Sequence, residues 1–175
     1  MGLRPGRCYR KVHRAYTRVS RRRPRKGYVK GVPGSKIHQF EVGEKKSYDK
    51  VLYLISKQPI QIRHNALEAA RMAITQHMTK NLGKGRTYFL KIRVFPHHVV
   101  RENPLATGAG ADRFQQGMTL SFGRPIGTAA QVKENQKIIE IQVNDESLKI
   151  AKRALKIAAH KLPLKYKIVV ENIAA

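Results

Sequence analysis

The sequence predicts an α+β fold: a two-layer sandwich with a mixed or antiparallel sheet and two main helices, preceded by a basic N-terminal arm. Apolar residues recur at helical spacing in two segments of the 175-residue chain and alternate with polar residues in several shorter segments. An amphipathic helix needs another element to cover its apolar face, so the helices and strands are expected to share one core. The first 40 residues contain no acidic side chain and few apolar ones. They are therefore expected to lie outside that core.

The predicted strands are short and rich in β-branched and aromatic residues. Residues 51–56 are apolar on both faces, which is typical of a strand at the centre or edge of a core. Residues 88–95 alternate most regularly and end before Pro96. Further strands are predicted at residues 37–42, 118–122, 126–132, 139–143 and 168–170.

Two helices are predicted, one at residues 65–82 and one that runs from a cap at 144 or 145 to 162. Asn65 is a favourable N-cap, and Glu68 completes a capping-box pattern. Gly83 is expected to end the first helix as a left-handed residue, and Pro163 to end the second. Their apolar faces comprise Leu67, Ala70, Ile74 and Met78 in the first helix and Leu148, Ala151, Leu155, Ala158 and Leu162 in the second.

The net charge of +25 indicates a polyanionic partner. A charge this large opposes compaction by self-repulsion, and counter-charge from a partner is the simplest compensation. Cys8 is the only cysteine, which excludes an internal disulfide and a multi-cysteine zinc site. The apolar stretches are too short to cross a bilayer, and none follows the N-terminus as in a secretion signal. We therefore expect a soluble, intracellular protein without a membrane partner.

Residues 1–36 form the predicted basic arm, and residues 37–175 the single globular domain. Arginine outnumbers lysine in the arm, and its planar fork binds phosphate with two parallel hydrogen bonds. The interleaved tyrosines can stack on unpaired bases. Such a segment is expected to become ordered only beside a polyanion, whereas a plain localisation tract spans about 5–8 residues. The RNA-binding candidates of the arm are Arg4, Arg7, Arg10, Lys11, Arg14, Arg18, Arg21, Arg22, Arg23, Arg25, Lys26 and Lys30.

Two further segments contain candidate RNA contacts. Lys84 and Arg86 lie in a Gly-Lys-Gly-Arg turn after the first helix, where the alternative is an ordinary helix end with solvated cations. Residues 101–118 form an aperiodic loop of a length that is generally functional or disordered. This loop lacks the glycine motifs of nucleotide sites. The side chains in it that are able to touch RNA are Arg101, Arg113, Gln115 and Gln116.

No catalytic or metal site is predicted, and no cofactor or small-molecule substrate. His97 and His98 are adjacent, and neighbours on a strand point to opposite faces, so they cannot readily share one metal ion. The chain has 11 acidic residues and no nucleophile elbow or catalytic triad. Two alternatives remain: an RNA-modifying enzyme, for which Asp112 and the two histidines are the only candidates, and a DNA-compacting protein. The interleaved tyrosines and the mixed core favour RNA over DNA.

Five motifs stand out along the chain: Arg4-Pro-Gly-Arg-Cys-Tyr-Arg10, Gly31-Val-Pro33, Ala66-Leu-Glu-Ala-Ala-Arg71, Gly110-Ala-Asp-Arg-Phe-Gln-Gln-Gly-Met118 and Phe122-Gly-Arg-Pro-Ile-Gly-Thr128. In this order they make the chain resemble ribosomal protein L-ten-e, the archaeal and eukaryotic form of the family whose bacterial member is L-sixteen. Together they cover nearly the whole chain. The sequence ends without the longer basic tail of eukaryotic members, so the resemblance is to the archaeal form.

This resemblance implies the α/β-hammerhead type of α+β fold and a structural, non-catalytic role in the large ribosomal subunit of the cytoplasm. The arm would bind large-subunit rRNA near the central protuberance and the stalk base. The implied partners are this rRNA, tRNA and neighbouring large-subunit ribosomal proteins, without an obligate homo-oligomer. The turn at 83–86 matches the family less closely. The loop would face tRNA and the peptidyl transferase centre through Arg101, Asn103, Gly108, Gly110, Asp112, Arg113, Gln115 and Gln116.

Overall fold

Two antiparallel sheets and two helices make up the fold. The structure is a computed structural model, which describes residues 4–12, 29–83, 88–104, 108–110 and 123–173. Short 3-10 turns precede the first strand at Gly6–Cys8 and the second helix at Asp145–Ser147. The elements are β1 (Glu41–Gly43), β2 (Lys50–Ser56), β3 (Ile60–Arg63), α1 (His64–Leu82), β4 (Tyr88–Ile92), β5 (His98–Glu102), β6 (Arg124–Val132), β7 (Lys137–Val143), α2 (Leu148–Ala159) and β8 (Tyr166–Asn172).

The larger sheet has five strands in the order β1-β4-β7-β2-β8, and all of its strand pairs are antiparallel. Strand β2 lies between β7 and β8, and Leu52 and Leu54 on it are fully buried. The prediction of a core strand at residues 51–56 is therefore confirmed. Helix α2 contacts β2, β7 and β8 and also packs against α1. The two helices and this sheet thus share one hydrophobic core, as the amphipathic pattern predicted.

The smaller sheet has three antiparallel strands in the order β3-β6-β5. Ile60 and Ile62 on β3 and Ala130 and Val132 on β6 are buried and join the same core. The sequence predicted one sheet and missed both β3 and β5. Strand β3 is only four residues long, and it pairs with residues 129–132. The pairing that defines this strand therefore involves residues far away in the sequence, which a local pattern does not reveal. No turn separates β3 from α1 either, since His64 follows Arg63 directly.

Helix α1 has the predicted apolar face, with Leu67, Ala70, Ile74 and Met78 all fully buried. Its predicted N-terminus is wrong. Arg63 occupies the N-cap position in an extended conformation, and Asn65 lies inside the first turn without capping the helix. Glu68 accepts a hydrogen bond from Arg71 Nε at 3.0 Å, so its side chain pairs along the helix. The capping box does not form because β3 runs directly into the helix and places the cap two residues earlier.

The remaining boundaries shift by a few residues. Helix α2 ends at Ala159 rather than at 162, although Leu162 is buried beyond its end. Gly83 ends α1 with φ 75° and ψ −170°, which requires glycine but is not the predicted left-handed conformation. Arg101 and Glu102 belong to β5, so the predicted loop begins two residues later than expected. The predicted strands 126–132, 139–143 and 168–170 are observed within β6, β7 and β8. Of the predicted strand 88–95 only residues 88–92 form β4, and of the predicted strand 37–42 only residues 41 and 42 belong to β1, so both predictions were too long. The predicted strand 118–122 lies outside the described residues.

None of the helices in the described part of the chain has the length and apolarity that crossing a membrane requires.

Candidate nucleic-acid interface

The N-terminal segment, defined here as residues 4–12, lies against the three-stranded sheet. The Arg10 carbonyl accepts a hydrogen bond from the Gln61 backbone N–H at 3.0 Å, and the Tyr9 carbonyl accepts one from Gln61 Nε2 at 3.0 Å. Gln61 lies on β3, an edge strand, and its outward backbone N–H is thereby paired. The arm was expected to become ordered only beside a polyanion. For this segment that expectation is wrong, because the sheet edge supplies partners for its backbone.

Glu102 joins the same segment to the opposite edge of the sheet. The Tyr9 hydroxyl donates a hydrogen bond to Glu102 Oε2 at 2.7 Å, and Arg4 Nε lies 2.8 Å from Oε1. Burial and the neighbouring carboxylate raise the pKa of Tyr9 to about 12, so its hydroxyl remains a proton donor at neutral pH. Tyr9 therefore spans the sheet, with its carbonyl bonded to β3 and its hydroxyl bonded to β5.

Arg63 contacts two residues of the N-terminal segment, Arg4 and Tyr9. Its Nη1 donates a hydrogen bond to the Arg4 carbonyl at 3.1 Å, and its guanidinium lies over the Tyr9 ring at 5.0 Å from the centroid. Arg63 is the last residue of β3 and directly precedes α1, and from this position its side chain reaches the N-terminal segment. Sequence reasoning missed Arg63 as a functional residue, because β3 was not predicted.

The long loop leaves and returns at adjacent positions of the sheet. Glu102 pairs with Arg124 across β5 and β6, so the two stems of the loop lie side by side. Gly123 closes this base with φ 75°, and a Cβ atom there would lie 3.0 Å from the Glu102 carbonyl. The loop is thus an extension of a β-hairpin, and the residue at its first stem is the residue that binds Tyr9 and Arg4.

The predicted site residues fall into three groups. Arg7, Arg10, Lys11 and Lys30 are exposed, whereas Arg4 pairs with Glu102. Arg101 and Asn103 are half-buried at the first stem of the loop, and Gly108 and Gly110 both have positive φ angles. The predicted contacts that lie outside the described residues are Arg14, Arg18, Arg21, Arg22, Arg23, Arg25, Lys26, Lys84, Arg86, Asp112, Arg113, Gln115 and Gln116.

The outer face of α2 carries a further group of cations that sequence reasoning did not assign. The group consists of four lysine and arginine residues, all exposed, and α2 contains no acidic residue. Their spacing of three or four positions was visible in the sequence and places them along the solvent side of the helix. These cations are Lys149, Lys152, Arg153 and Lys156.

The two adjacent histidines differ in their surroundings. His98 is buried, and burial lowers its pKa below the ordinary value of 6.5. His97 is exposed, and its Nδ1 lies 3.0 Å from the Phe95 carbonyl oxygen. Within the described ranges no three His, Cys, Asp or Glu side chains form a group that could hold a metal ion.

The fold and its charges define a small, strongly basic α+β protein of the kind that binds nucleic acids. A family model described as ribosomal protein L16p/L10e matches residues 16–169. The chain is 50% identical to large ribosomal subunit protein uL16 of Metallosphaera sedula, over 97% of this chain and 95% of that protein. It is 44% identical to the same protein of Archaeoglobus fulgidus, over 98% of this chain and 95% of that protein.

This chain therefore belongs to the ribosomal protein L16p/L10e family. The family consists of structural ribosomal proteins that serve translation and not of enzymes, so the hypothesis of an RNA-modifying enzyme is set aside. The resemblance that the sequence motifs indicated is confirmed over nearly the full length.

Proposed function

We propose that this protein is a structural constituent of the large ribosomal subunit that binds large-subunit rRNA and helps to position tRNA near the peptidyl transferase centre. Family membership and the names of its relatives support the ribosomal role. In this proposal the protein is part of the cytoplasmic ribosome, near the central protuberance and the stalk base. The fold is assigned to the α/β-hammerhead type, with residues 1–36 as the basic rRNA-binding arm.

The observation that carries this proposal is the bonding of Glu102 to both Tyr9 and Arg4. The N-terminal segment contributes exposed arginines for phosphate binding, and the loop begins directly after Glu102. Both are therefore joined to the same three-stranded sheet at Glu102. A loop on a rigid scaffold can present its residues to a ligand at a defined position. In the proposal the segment anchors the protein in rRNA, and the loop from residue 103 onward faces tRNA.

The charges of the described residues give this anchor a measurable salt dependence. Arg7, Arg10, Lys11 and Lys30 are exposed and free to contact phosphates. Each phosphate contact changes the slope of log K against log salt by about −0.7 to −0.9, so four contacts correspond to a slope of about −3. The remaining cations of the arm would make the slope of the full protein steeper.

The test of the anchor uses a fourfold alanine variant at Arg7, Arg10, Lys11 and Lys30. We expect it to lose incorporation into large subunits, and its rRNA affinity to depend on salt with a slope shallower by about 3. A matched control removes four exposed lysines elsewhere. If both variants incorporated equally well, the assigned role of the segment would be refuted. The control positions are Lys57, Lys80, Lys133 and Lys167.

The loop requires a separate experiment. Replacement of residues 103–114 by a short Gly-Ser linker leaves the sheet edge and the N-terminal segment in place. We expect rRNA binding to persist, while subunit maturation or translation is impaired because the tRNA-facing residues are gone. Unchanged translation by subunits that contain this variant would show that the loop is a passive insertion.

A further inference from the structure

A cavity of about 310 Å³ lies where three distant parts of the chain meet. Its walls come from the N-terminal segment, from the end of β3 and from the turn after α2. We name it the cationic cavity, because Arg7, Arg10, Arg63 and Lys161 line it and no acidic side chain of the described residues does. Neither Arg63 nor Lys161 was among the predicted RNA contacts.

No carboxylate of the described residues forms an ion pair with the cations that line the cationic cavity. Among the described residues, Arg7, Arg10 and Lys161 take part in no ion pair, and Arg63 bonds to the neutral Arg4 carbonyl and lies over the Tyr9 ring. Four cations around one small volume repel one another unless an anion lies between them. Arginine supplies paired N–H donors for phosphate oxygens, and lysine supplies a point charge. The chemistry of these walls therefore matches phosphate.

Part of the lining of the cationic cavity is apolar. Leu162, Pro163 and Leu164 form it, together with Ala66 of α1. Leu164 has φ 68°, a conformation that side chains other than glycine and asparagine rarely adopt, and it is 42% exposed. The chain thus holds an aliphatic residue in the lining of a charged cavity, with a backbone conformation that the surrounding structure must impose. An apolar surface next to phosphate-binding groups is suited to a nucleotide, whose base and sugar offer apolar faces.

Gln61 also lines the cationic cavity and is held in place by hydrogen bonds. Gln61 donates two hydrogen bonds to the N-terminal segment, and its Oε1 accepts one from Gln131 Nε2 at 3.2 Å. The segment that contributes Arg7 and Arg10 is therefore held before any ligand arrives. A preformed site loses less conformational entropy on binding than a segment that must fold around its ligand.

We propose that the cationic cavity binds one unpaired nucleotide of RNA, with its phosphate near Arg63 and Lys161 and its base or sugar against Leu164. This inference rests on the proposed function and adds a specific site to it, in which Arg63 and Lys161 join Arg7 and Arg10 of the arm. A volume of about 310 Å³ lies at the lower end of small-ligand pockets, about 300–1,000 Å³, so it fits one nucleotide and not a helix. Unpaired, splayed-out nucleotides are the ones that RNA-binding proteins commonly take into pockets.

The test uses the full-length protein and purified large-subunit rRNA as the probe. Lys161→Ala and Leu164→Gly are compared with the control Lys165→Ala, which removes an exposed charge outside the cavity. We expect the affinity for rRNA to fall about tenfold in Lys161→Ala, as for a lost charge-assisted hydrogen bond, and less than twofold in the control. Chemical probing of the 2′-hydroxyl groups should show that the cavity variants lose protection at the same single nucleotide.

The possible results distinguish a failure of the cavity proposal from a failure of the proposed rRNA-binding function. If the wild-type protein does not bind the rRNA, the proposed function fails and the cavity with it. If the wild type binds but Lys161→Ala and Lys165→Ala weaken binding equally, or no single nucleotide loses protection, only the cavity proposal is overturned. Thermal unfolding controls for folding, because Leu164→Gly relieves a positive φ angle and should not lower the melting temperature.

Discussion

The hydrogen bond between Tyr9 and Glu102 should decide whether the N-terminal segment stays on the sheet in the absence of RNA. Tyr9→Phe removes the hydroxyl that donates to Glu102 Oε2 at 2.7 Å and leaves the aromatic ring in place. The ion pair of Arg4 with the same carboxylate remains. Since Arg4 is 45% exposed, that pair contributes about 0–1 kcal/mol and cannot replace the lost bond.

The size of the effect follows from the charged acceptor. A hydrogen bond to a charged group stabilises a structure by about 1.5–3 kcal/mol, and the partial exposure of Tyr9 favours the lower value. A loss of about 1.5 kcal/mol raises the population of the detached segment roughly tenfold. This is a local opening, which leaves the core of the domain intact.

Hydrogen exchange of the Gln61 amide measures this opening, because its N–H donates to the Arg10 carbonyl only while the segment is in place. We expect the exchange rate to rise about tenfold in Tyr9→Phe. The matched control is Tyr53→Phe, which removes a hydroxyl from β2 in the other sheet and should leave the Gln61 rate unchanged. A change of less than about twofold in Tyr9→Phe would refute the reasoning that this bond holds the segment.

Three further predictions concern stability, measured by urea unfolding. Met78→Ala should lower the free energy of unfolding by about 2–5 kcal/mol, since Met78 is fully buried in the shared core. Gly43→Ala should cost about 2 kcal/mol or more, because Gly43 has φ 100° and an added Cβ would overlap the Tyr88 carbonyl oxygen. Burial lowers the pKa of His64 and His98 below 6.5, so the unfolded chain binds protons more readily. The contribution of the two neutral histidines to the free energy of unfolding should therefore be fully present above about pH 6.5. It should be lost as the pH falls from there through the lowered pKa values of the folded state.

Matched variants control these three experiments. Met72 lies on the same helix but is 45% exposed, so Met72→Ala should change the free energy of unfolding by less than about 0.5 kcal/mol. A Cβ atom added at Gly34 would meet only open space, so Gly34→Ala should be nearly neutral. An equal cost at Gly34 and Gly43 would contradict the steric argument. His64→Asn should flatten part of the pH dependence, and an unaltered curve would exclude His64 as a source of it.

Local patterns predicted the parts of this fold that depend on neighbouring residues. The apolar face of α1 was identified because Leu67, Ile74 and Met78 recur at helical spacing, and the buried strand at residues 51–56 because it is apolar on both faces. The helix N-terminus was misplaced, since the cap depends on β3, and β3 exists through its pairing with β6. The division into two sheets was missed for the same reason.

The candidate site was predictable in its chemistry and not in its arrangement. The acid-free composition of the arm made Arg7 and Arg10 candidate RNA contacts, and the structure places both on the exposed surface. It placed Glu102 in a loop, whereas the structure makes this residue the carboxylate that holds Tyr9 and Arg4. Arg63 carries no local signal at all, because its role comes from its place between a strand and a helix.

By itself the sequence determined the excess of positive charge, the α+β class, the two helices and the family motifs. These properties are carried by composition and by residues close together in the chain. Only the tertiary structure decided that the N-terminal segment covers a sheet edge, that it meets the loop at Glu102 and that four cations surround one cavity. The physical reason is distance along the chain. Tyr9 and Glu102 are 93 positions apart, so no local pattern could have shown that their side chains bind each other.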